Sequence, residues 1–518
     1  MKHCKKYLSV VMVLVLAVTL LVGCSSKKAE ETTESNNAKV TQGADTTATE
    51  KEEPYEIVVA IINIYQDYAD IAEVEAAINE ITVPAINSTV KLKLVPISEQ
   101  GTKLSLSVAA GEKIDLINTG LITKPGPLVS EGLLTDITDY LTPALKEHAG
   151  DLLAAGTING RVYAYPSILY PGQEIVFFYD KDLADQYGIT VPDKISSNED
   201  FVKIFEQVKA SGMSAYGISL GDGGGASITE FGANFDALGD NNSLSYGVVV
   251  DPANNTTITN WYESQEFYDL CKDHYDWMQK GYAIPDSLTN GYTTTDSMTN
   301  GQCFGFTCSY GVGSSEAYWS NMTGKNLGVS IIREALLTTA ATITQSWGVA
   351  SNSEKPEKAV QLLDLVYSNT ELANLMNYGI EGKHYVKAEG TKNIITYPEG
   401  VNSQSVGYGG DMIQWFGDTK TVFQRTPNTD EFFATIDDFG LVGAAKSNCL
   451  GYNFDTAKVT TQLTAVQNVV NEYKATLTTG NVNPDEVIPE FNKALKDAGI
   501  EEIIKENQTQ LDAWLAAK

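Results

Sequence analysis

Three constellations in this sequence have residue types and spacing suited to chemistry. The first is Gly217-Ile218-Ser219-Leu220-Gly221, which has the G-x-S-x-G spacing of a nucleophile elbow. That device needs a strand, a sharp turn and a helix, so that the serine hydroxyl meets a histidine. Here Asp222 and three glycines follow, a poor helix start, and the histidines beyond the N-terminal segment are His148, His274 and His384. The second is Cys271 with His274, three apart on an expected helix, where a thiolate and an imidazole would share a face. Cys303 and Cys308 lie five apart in a strand-like run and should point to opposite faces. Buried free thiols are therefore the expectation for these cysteines and Cys449, with no metal. The third is paired carboxylates for glycoside hydrolysis. With 66 Asp and Glu, chance pairs are plentiful, and counting identifies none. No H-E-x-x-H or P-loop motif occurs, so the reading is a non-enzyme without a cofactor.

Cys24 carries a more specific signal. Lys5-Lys6, fifteen mostly apolar residues from Leu8 to Val22, and then Gly23-Cys24-Ser25-Ser26 have the layout of a secretory signal peptide. The apolar run is short of the about 20 residues that a membrane helix needs. Leu21-Val22-Gly23-Cys24 resembles the lipobox of bacterial lipoproteins, which implies that Cys24 becomes the N-terminus and carries lipid. Residues 25–54 have no aromatic residue and are rich in Lys, Glu, Thr, Ser, Asn and Ala, so they cannot bury enough surface to fold. They read as a tether. The segment 1–23 holds three lysines and no acid, so its removal takes the net charge from −30 to −33. Such a surface repels nucleic acid and gains nothing from anionic lipid.

The elements that would position a site follow from periodicity. Residues 56–62 form a buried-strand run. Ile71, Val74, Ala77, Ile78 and Ile81 recur at helical spacing, 90–97 is a second strand and 114–117 a third. Strand, helix, strand, helix, strand argues for a parallel sheet with crossover helices. Asn159-Gly160 reads as a hairpin turn, and 175–179 as another buried strand. Residues 196–212 read as a helix, 216–220 as a strand, 221–260 mainly as loop, 261–280 as a helix and 301–308 as a strand. Residues 342–350 read as a strand followed by a helix opened by Pro356. Residues 386–448 look irregular. A long helix, about 457–477, and a helical pair broken near Gly499 close the chain.

Several stretches together resemble the extracellular solute-binding proteins of ABC transporters, of the maltose-type, carbohydrate-associated family 1 group. They are the lipobox, the strand–loop–helix around Ile71-Ala72-Glu73-Val74, residues 111–116 with 131–136, residues 159–166 leading to 178–183, residues 300–306, and residues 347–351 with 355–359. Residues 377–385 and 492–500 resemble one subgroup of lipoprotein binding proteins. The resemblance implies an α/β, two-lobed periplasmic-binding-protein-like fold with a ligand cleft between lobes. Lobe 1 would comprise 55–175 plus 343–385, and lobe 2 would comprise 176–342 plus 386–518. It implies a monomer, lipid-anchored outside the cell membrane, that captures a solute, expected to be an oligosaccharide, and delivers it to ABC permease subunits.

Ligands of open α/β sheets sit beyond the carboxyl ends of the strands. The candidate contacts are accordingly Tyr65, Gln66 and Asp67 in the first loop and Asn118 and Thr119 after the third strand. Gln173 and Glu174 precede the first crossing strand, Phe231 lies in a second-lobe loop, and Tyr310 ends the 301–308 strand. Trp347 on the second crossing strand and Tyr452 before the long helix complete the set. Many relatives carry a Trp near Asn118, and this chain has none there, which argues against a maltodextrin-like ligand. The rival functions are an exported carbohydrate-active enzyme and a surface lectin with no transport role.

Overall fold

The apolar run opening at Tyr55 lacks polar alternation, so it must be covered on both faces. In the computed structural model, residues 52–518 are described except 64–67, 168–172, 221–232, 241–242, 286, 311–313, 410–415 and 436–444, and every count below is of the described residues. The run is β1 (Tyr55–Asn63), with six consecutive buried residues. It lies between β2 (Ser88–Pro96) and β3 (Leu116–Gly120), parallel to both. The Ile71–Ile86 helix makes the first crossover. A hairpin of β4 (Thr157–Ile158) and β5 (Arg161–Val162) turns at Asn159 and Gly160, with φ of 51° and 75°, the mirror-image turn that Asn-Gly favours. After β6 (Ala164–Pro166) the chain leaves for a second sheet.

That sheet begins with β7 (Gln173–Asp180), followed by β8 (Tyr216–Ile218). A separate small sheet comes next, of β9 (Phe235–Asp236), β10 (Val248–Val250) and β11 (Ile258–Thr259). β12 (Cys303–Tyr310) and β13 (Leu327–Leu337) then flank β7, both antiparallel to it. The chain returns as β14 (Gln345–Val349), which pairs with β3 and β6. It forms β15 (Val386–Lys387), β16 (Ile394–Thr396) and β17 (Gln424–Arg425), and goes back as β18 (Ala445–Lys446) beside β13. The two main sheets have orders β2-β1-β3-β14-β6 and β18-β13-β7-β12-β8. The chain thus passes between sheets three times, after β6, after β13 and after β17.

Each sheet organises its own core. Ile57, Val59 and Ile61 pack with Val74 and Ile78, with Val360 and Leu363 of the Pro356–Ser368 helix and with Leu372 and Met376 of the Thr370–Tyr378 helix. Ala60, Val95, Val108 and Ile117 fill a second cluster. In the second lobe Phe177, Phe201, Phe205, Phe304 and Trp277 form one cluster, and Val176, Phe178, Phe306 and Cys308 another. A helical layer joins the Gln265–Lys280 helix to three C-terminal helices, Thr460–Thr478, Pro484–Ala498 and Ile500–Ala517. Gly499, at φ 98°, separates the last two, a backbone state open to glycine and strained for other residues. Leu152, Ala155, Leu337, Ile343 and Leu450 make a small cluster where the crossings meet. No helix among the described residues is long and apolar enough to cross a membrane.

Several departures from the sequence reading bear on the lobes and their elements. Residues 386–425, expected in lobe 2, pack on lobe 1. Tyr408, Phe416 and Val422 join its core, Tyr408 Oη donates to Met376 O at 2.7 Å, and Asn377 Nδ2 donates to Phe416 O at 2.7 Å. The stretch 221–260, expected as loop, contributes the small β9–β11 sheet. The strand expected over 342–350 starts only at Gln345, because Thr338 caps a short helix through Ala341 N–H at 3.1 Å. Cys303 and Cys308 both join one apolar cluster of the second lobe. Both, with Cys271 and Cys449, are buried and form no disulfide.

Candidate functional site

The polar side chains of interest sit where the sheets hand the chain to each other. β3 ends at Gly120, whose φ of 100° and lack of a side chain let it touch the returning segment. A Cβ there would lie 1.5 Å from Ile343 O. This contact brings the end of β3 onto the second crossing. Asn118 lies directly across from Trp347 in the β3–β14 pair and is 1 % exposed, yet neither polar atom of its side chain has a hydrogen-bond partner among the described residues. Its main-chain oxygen accepts from Gln100 Nε2 at 2.8 Å. The other side-chain polar atom of Gln100, Oε1, is also buried without a partner, as are Thr123 Oγ1 and Gln345 Oε1. Gly120 N–H donates to Thr123 O, and Gln345 pairs with Gly120, so these groups belong to one neighbourhood. A buried polar group left unpaired costs about 1–3 kcal/mol. Thr119 is already committed, its Oγ1 lying 2.8 Å from Ser346 Oγ, which donates to Ile343 O at 3.0 Å.

On the second sheet Glu174 lies in β7 opposite Tyr310 of β12. On its other side β13 shifts register between Arg333 and Leu336, whose partners are Ile175 and Gln173. Glu174 is 5 % exposed. Burial, then the nearby Glu334, pushes its carboxyl up to about 7, and Arg333 partly offsets them. Burial lowers the Arg333 guanidinium to about 10, with Glu174 opposing. Lys124, beside the end of β3, donates to Gly120 O at 2.5 Å, and burial lowers it to about 8. Arg333 and Lys124 were not among the sequence candidates. The signal for Arg333 was present, as a charged pair inside the apolar run Ile331-Ile332-Arg333-Glu334-Ala335-Leu336-Leu337.

The remaining candidates divide clearly. Tyr65, Gln66, Asp67 and Phe231 lie outside the described residues, and for Gln173 and Tyr310 only the backbone is described, at the start of β7 and the end of β12. Trp347 and Tyr452 are core residues. Trp347 is fully buried and stacks on Phe416 with ring centroids 4.7 Å apart. Tyr452 is 3 % exposed and donates to Asn507 Oδ1 at 2.6 Å. Their ring types suited a sugar platform, but the packing uses them. For the serine elbow, the turn after Ser219 falls on 221–232, outside the described residues. His384 Nδ1 accepts from Ile380 N–H at 2.8 Å and its Nε2 faces Asp70 at 3.2 Å, while His274 Nδ1 is 2.5 Å from Thr478 O.

Two α/β lobes built on separate sheets, with polar groups near the crossings between them, frame this region. Residues 68–372, more than half of the chain, match the family described as bacterial extracellular solute-binding protein, and the chain belongs to that family. Residues 448–516 match a domain of unknown function, DUF3502. A carbohydrate ABC transporter substrate-binding protein of Streptococcus pneumoniae serotype 4 is 25% identical over 479 residues, covering 88% of this chain and 91% of that one. The crystal structure of the N-glycan transport solute binding protein NgtS from Streptococcus pneumoniae is similar with a TM-score of 0.74 and 23% identity, over 89% of this chain and 99% of that one. NgtS in complex with Man1GlcNAc gives a TM-score of 0.70 and 22% identity over the same shares, 89% and 99%. The two-lobed α/β fold expected from the sequence is therefore the fold found.

Proposed function

We propose that this chain is the substrate-binding lipoprotein of an ABC importer. It captures an oligosaccharide between its lobes and presents it to membrane permease subunits, without turning it over. The observation that carries this reading is the match of residues 68–372 to the bacterial extracellular solute-binding family on a two-lobed fold. Among the described residues, Asn118, Gln100, Thr123 and Gln345 carry unpartnered polar side-chain atoms beside the crossing segments. Sugar hydroxyls both donate and accept, so one ligand could satisfy amide and hydroxyl groups alike. The carbohydrate transport role of the pneumococcal relative supports the same ligand class. Closure of the lobes over the ligand would rest on the three crossings, the hinge transition of periplasmic-type binding proteins.

In this reading Tyr65, Gln66, Asp67 and Asn118 contact the sugar from lobe 1, and Glu174, Phe231 and Tyr310 from lobe 2. Calorimetric titration of the purified chain with a panel of oligosaccharides, peptides and amino acids tests it. Saturable binding of an oligosaccharide that is recovered intact is expected. Saturation only by peptides, or release of shorter sugars, would overturn it. Tyr310→Ala should weaken binding of that sugar by about 1–3 kcal/mol, the scale of a lost aromatic contact and hydrogen bond. Unchanged affinity would remove Tyr310 from the site.

The lipid anchor rests on Leu21-Val22-Gly23-Cys24. Cys24→Ala should leave the precursor unlipidated and largely lost from a washed membrane fraction. Retention of the variant there would count against the anchor.

A further inference from the structure

Asp70 stands at the start of the Ile71–Ile86 helix, where a carboxylate normally accepts from the first free N–H groups. Here it makes no such cap. Its carboxylate turns instead to the 380–384 segment, with Oδ2 3.2 Å from His384 Nε2 and Oδ1 2.9 Å from Lys383 Nζ. Its N–H donates to Gly407 O at 3.1 Å. Tyr68, two residues earlier, packs on Tyr408 with ring centroids 4.8 Å apart. The entry to this helix is therefore held by chain that arrives much later in the sequence.

The seat is shaped around the Asp70–His384 pair. His384 is fully buried. Its Nδ1 accepts from Ile380 N–H at 2.8 Å, so that nitrogen carries no proton. Nε2 must then carry one, which it donates to Asp70. A Cβ on Gly379, at φ 75°, would lie 2.4 Å from Nδ1, and a Cβ on Gly407 would lie 1.9 Å from Asp70 Oδ2. Any side chain at either position would displace the ring or the carboxylate. The charged groups acting on the ring are Asp70 and Glu73 from the helix and Lys383 from its own segment, and the Tyr408 ring lies 6.0 Å away. Burial lowers the imidazole below its ordinary 6.5, with Asp70 and Glu73 opposing and Lys383 adding. A proton added at Nδ1 would set two N–H groups against each other and leave the Ile380 N–H without its acceptor, which is costly in a buried place.

We propose that His384 is a positioning residue for the first ligand loop. Through Asp70 it fixes where the Ile71–Ile86 helix begins, and so anchors the end of the stretch that carries Tyr65, Gln66 and Asp67. It does so only as a neutral ring. The link to ligand rests on the reading of those three residues as sugar contacts, and the anchoring does not.

Amide hydrogen exchange of the purified chain, read by mass spectrometry without ligand, tests the anchor. The amides of Asp70, Glu73 and Val74 are hydrogen-bonded, so peptides over 68–74 report on it, with peptides over 56–62 in β1 as the reference. His384→Asn keeps an acceptor for Ile380 N–H but is too short to reach Asp70. Protection over 68–74 should fall at least about tenfold, the worth of a hydrogen bond to a charged group, with β1 unchanged. Asp70→Ala, at a partly exposed side chain that caps nothing, should do the same with the histidine seat intact. His384→Gln is long enough to donate to Asp70 and should restore protection. In the parent, protection should decline as pH falls below 6.5, because acid removes the neutral form, and in His384→Gln it should not. Protection lost equally from β1 would make the role merely structural and overturn the proposal, as would unchanged protection in both His384→Asn and Asp70→Ala. Calorimetry of the same variants with the oligosaccharide panel reads the link to ligand. A sugar bound by the parent should bind about tenfold more weakly to His384→Asn, in step with the lost hydrogen bond, and normally to His384→Gln. Equal affinity in all three would separate the anchor from capture and overturn that part. A parent that binds no oligosaccharide would count against the sugar reading alone, and the exchange data would still decide the anchor.

Discussion

Trp347→Ala should cost about 3–5 kcal/mol of stability, the range for emptying a large aromatic site in a core. The ring is fully buried and stacks on Phe416, a residue 69 positions later in the chain. Its strand sits between β3 and β6, with Trp347 paired to Asn118 on one side and Tyr165 on the other. Removing the indole therefore empties the centre of the first sheet and frees the 386–425 segment packed over it. Trp347→Phe should recover most of the loss, since a ring would still meet Phe416. Urea unfolding followed by circular dichroism measures both variants, with lobe 1 read as its own transition if the curve has two steps. Oligosaccharide affinity should also fall in the alanine variant, through displacement of Asn118. Lost affinity with unaltered stability would instead put the ring on the ligand wall.

The second large effect is at Glu174, and its sign is opposite. Its carboxyl rises from 4.5 to about 7 in the folded chain, so the folded state holds the proton more tightly than the unfolded state. The contribution of this group to stability is therefore greatest below pH 4.5. It declines as pH rises and levels off above about pH 7, where the charge is fully buried. The span corresponds to roughly 3 kcal/mol, taking about 1.4 kcal/mol per pH unit of difference. Glu174→Gln keeps the shape and removes the titration. The variant should be more stable than the parent at pH 8 by up to that amount, and the gap should shrink as pH falls towards 4.5 and close below it. If the carboxylate grips the sugar, the same variant binds it about 1.5–3 kcal/mol more weakly, the worth of a hydrogen bond to a charged group. Stability gained and affinity lost together would mark a residue kept for the ligand. A variant less stable than the parent at pH 8 would show that Arg333 holds the carboxylate as a structural ion pair.

Much of the fold was legible because long periodic segments leave little choice. β1, the Ile71–Ile86 helix, the Asn159-Gly160 hairpin and the break at Gly499 each follow from pattern and backbone chemistry alone. β13 escaped notice although it is the longest strand described. Arg333 and Glu334 interrupt its apolar run, and the register shift that accommodates them erases the alternation. The allegiance of residues 386–425 was hidden for another reason. Tyr408 and Asn377 commit to partners far along the chain, and no local pattern records that. The site was less legible than the fold. Asn118 and Glu174 were singled out by their place near strand ends, and Trp347 by its place on a crossing strand. Residue type cannot tell an aromatic platform from an aromatic core, and Trp347 and Tyr452 proved to be the latter. That side-chain polar atoms of Asn118 and Gln100 lack partners among the described residues depends on the packing around them, which composition does not record.

The order in which the chain visits its two lobes also sets when each can become solid. The first lobe opens at Tyr55 but borrows Tyr408, Phe416 and Val422 to seal its interior. In the helical layer, Trp261, Tyr262 and Phe267 wait for Leu463, Phe491 and Ile503. During synthesis, then, lobe 1 waits for Val422 and the helical layer for Ile503, because contacts so distant in sequence close late. For a member of an extracellular family that delay has a use, since a chain whose cores close late stays pliable until its last helices are in place.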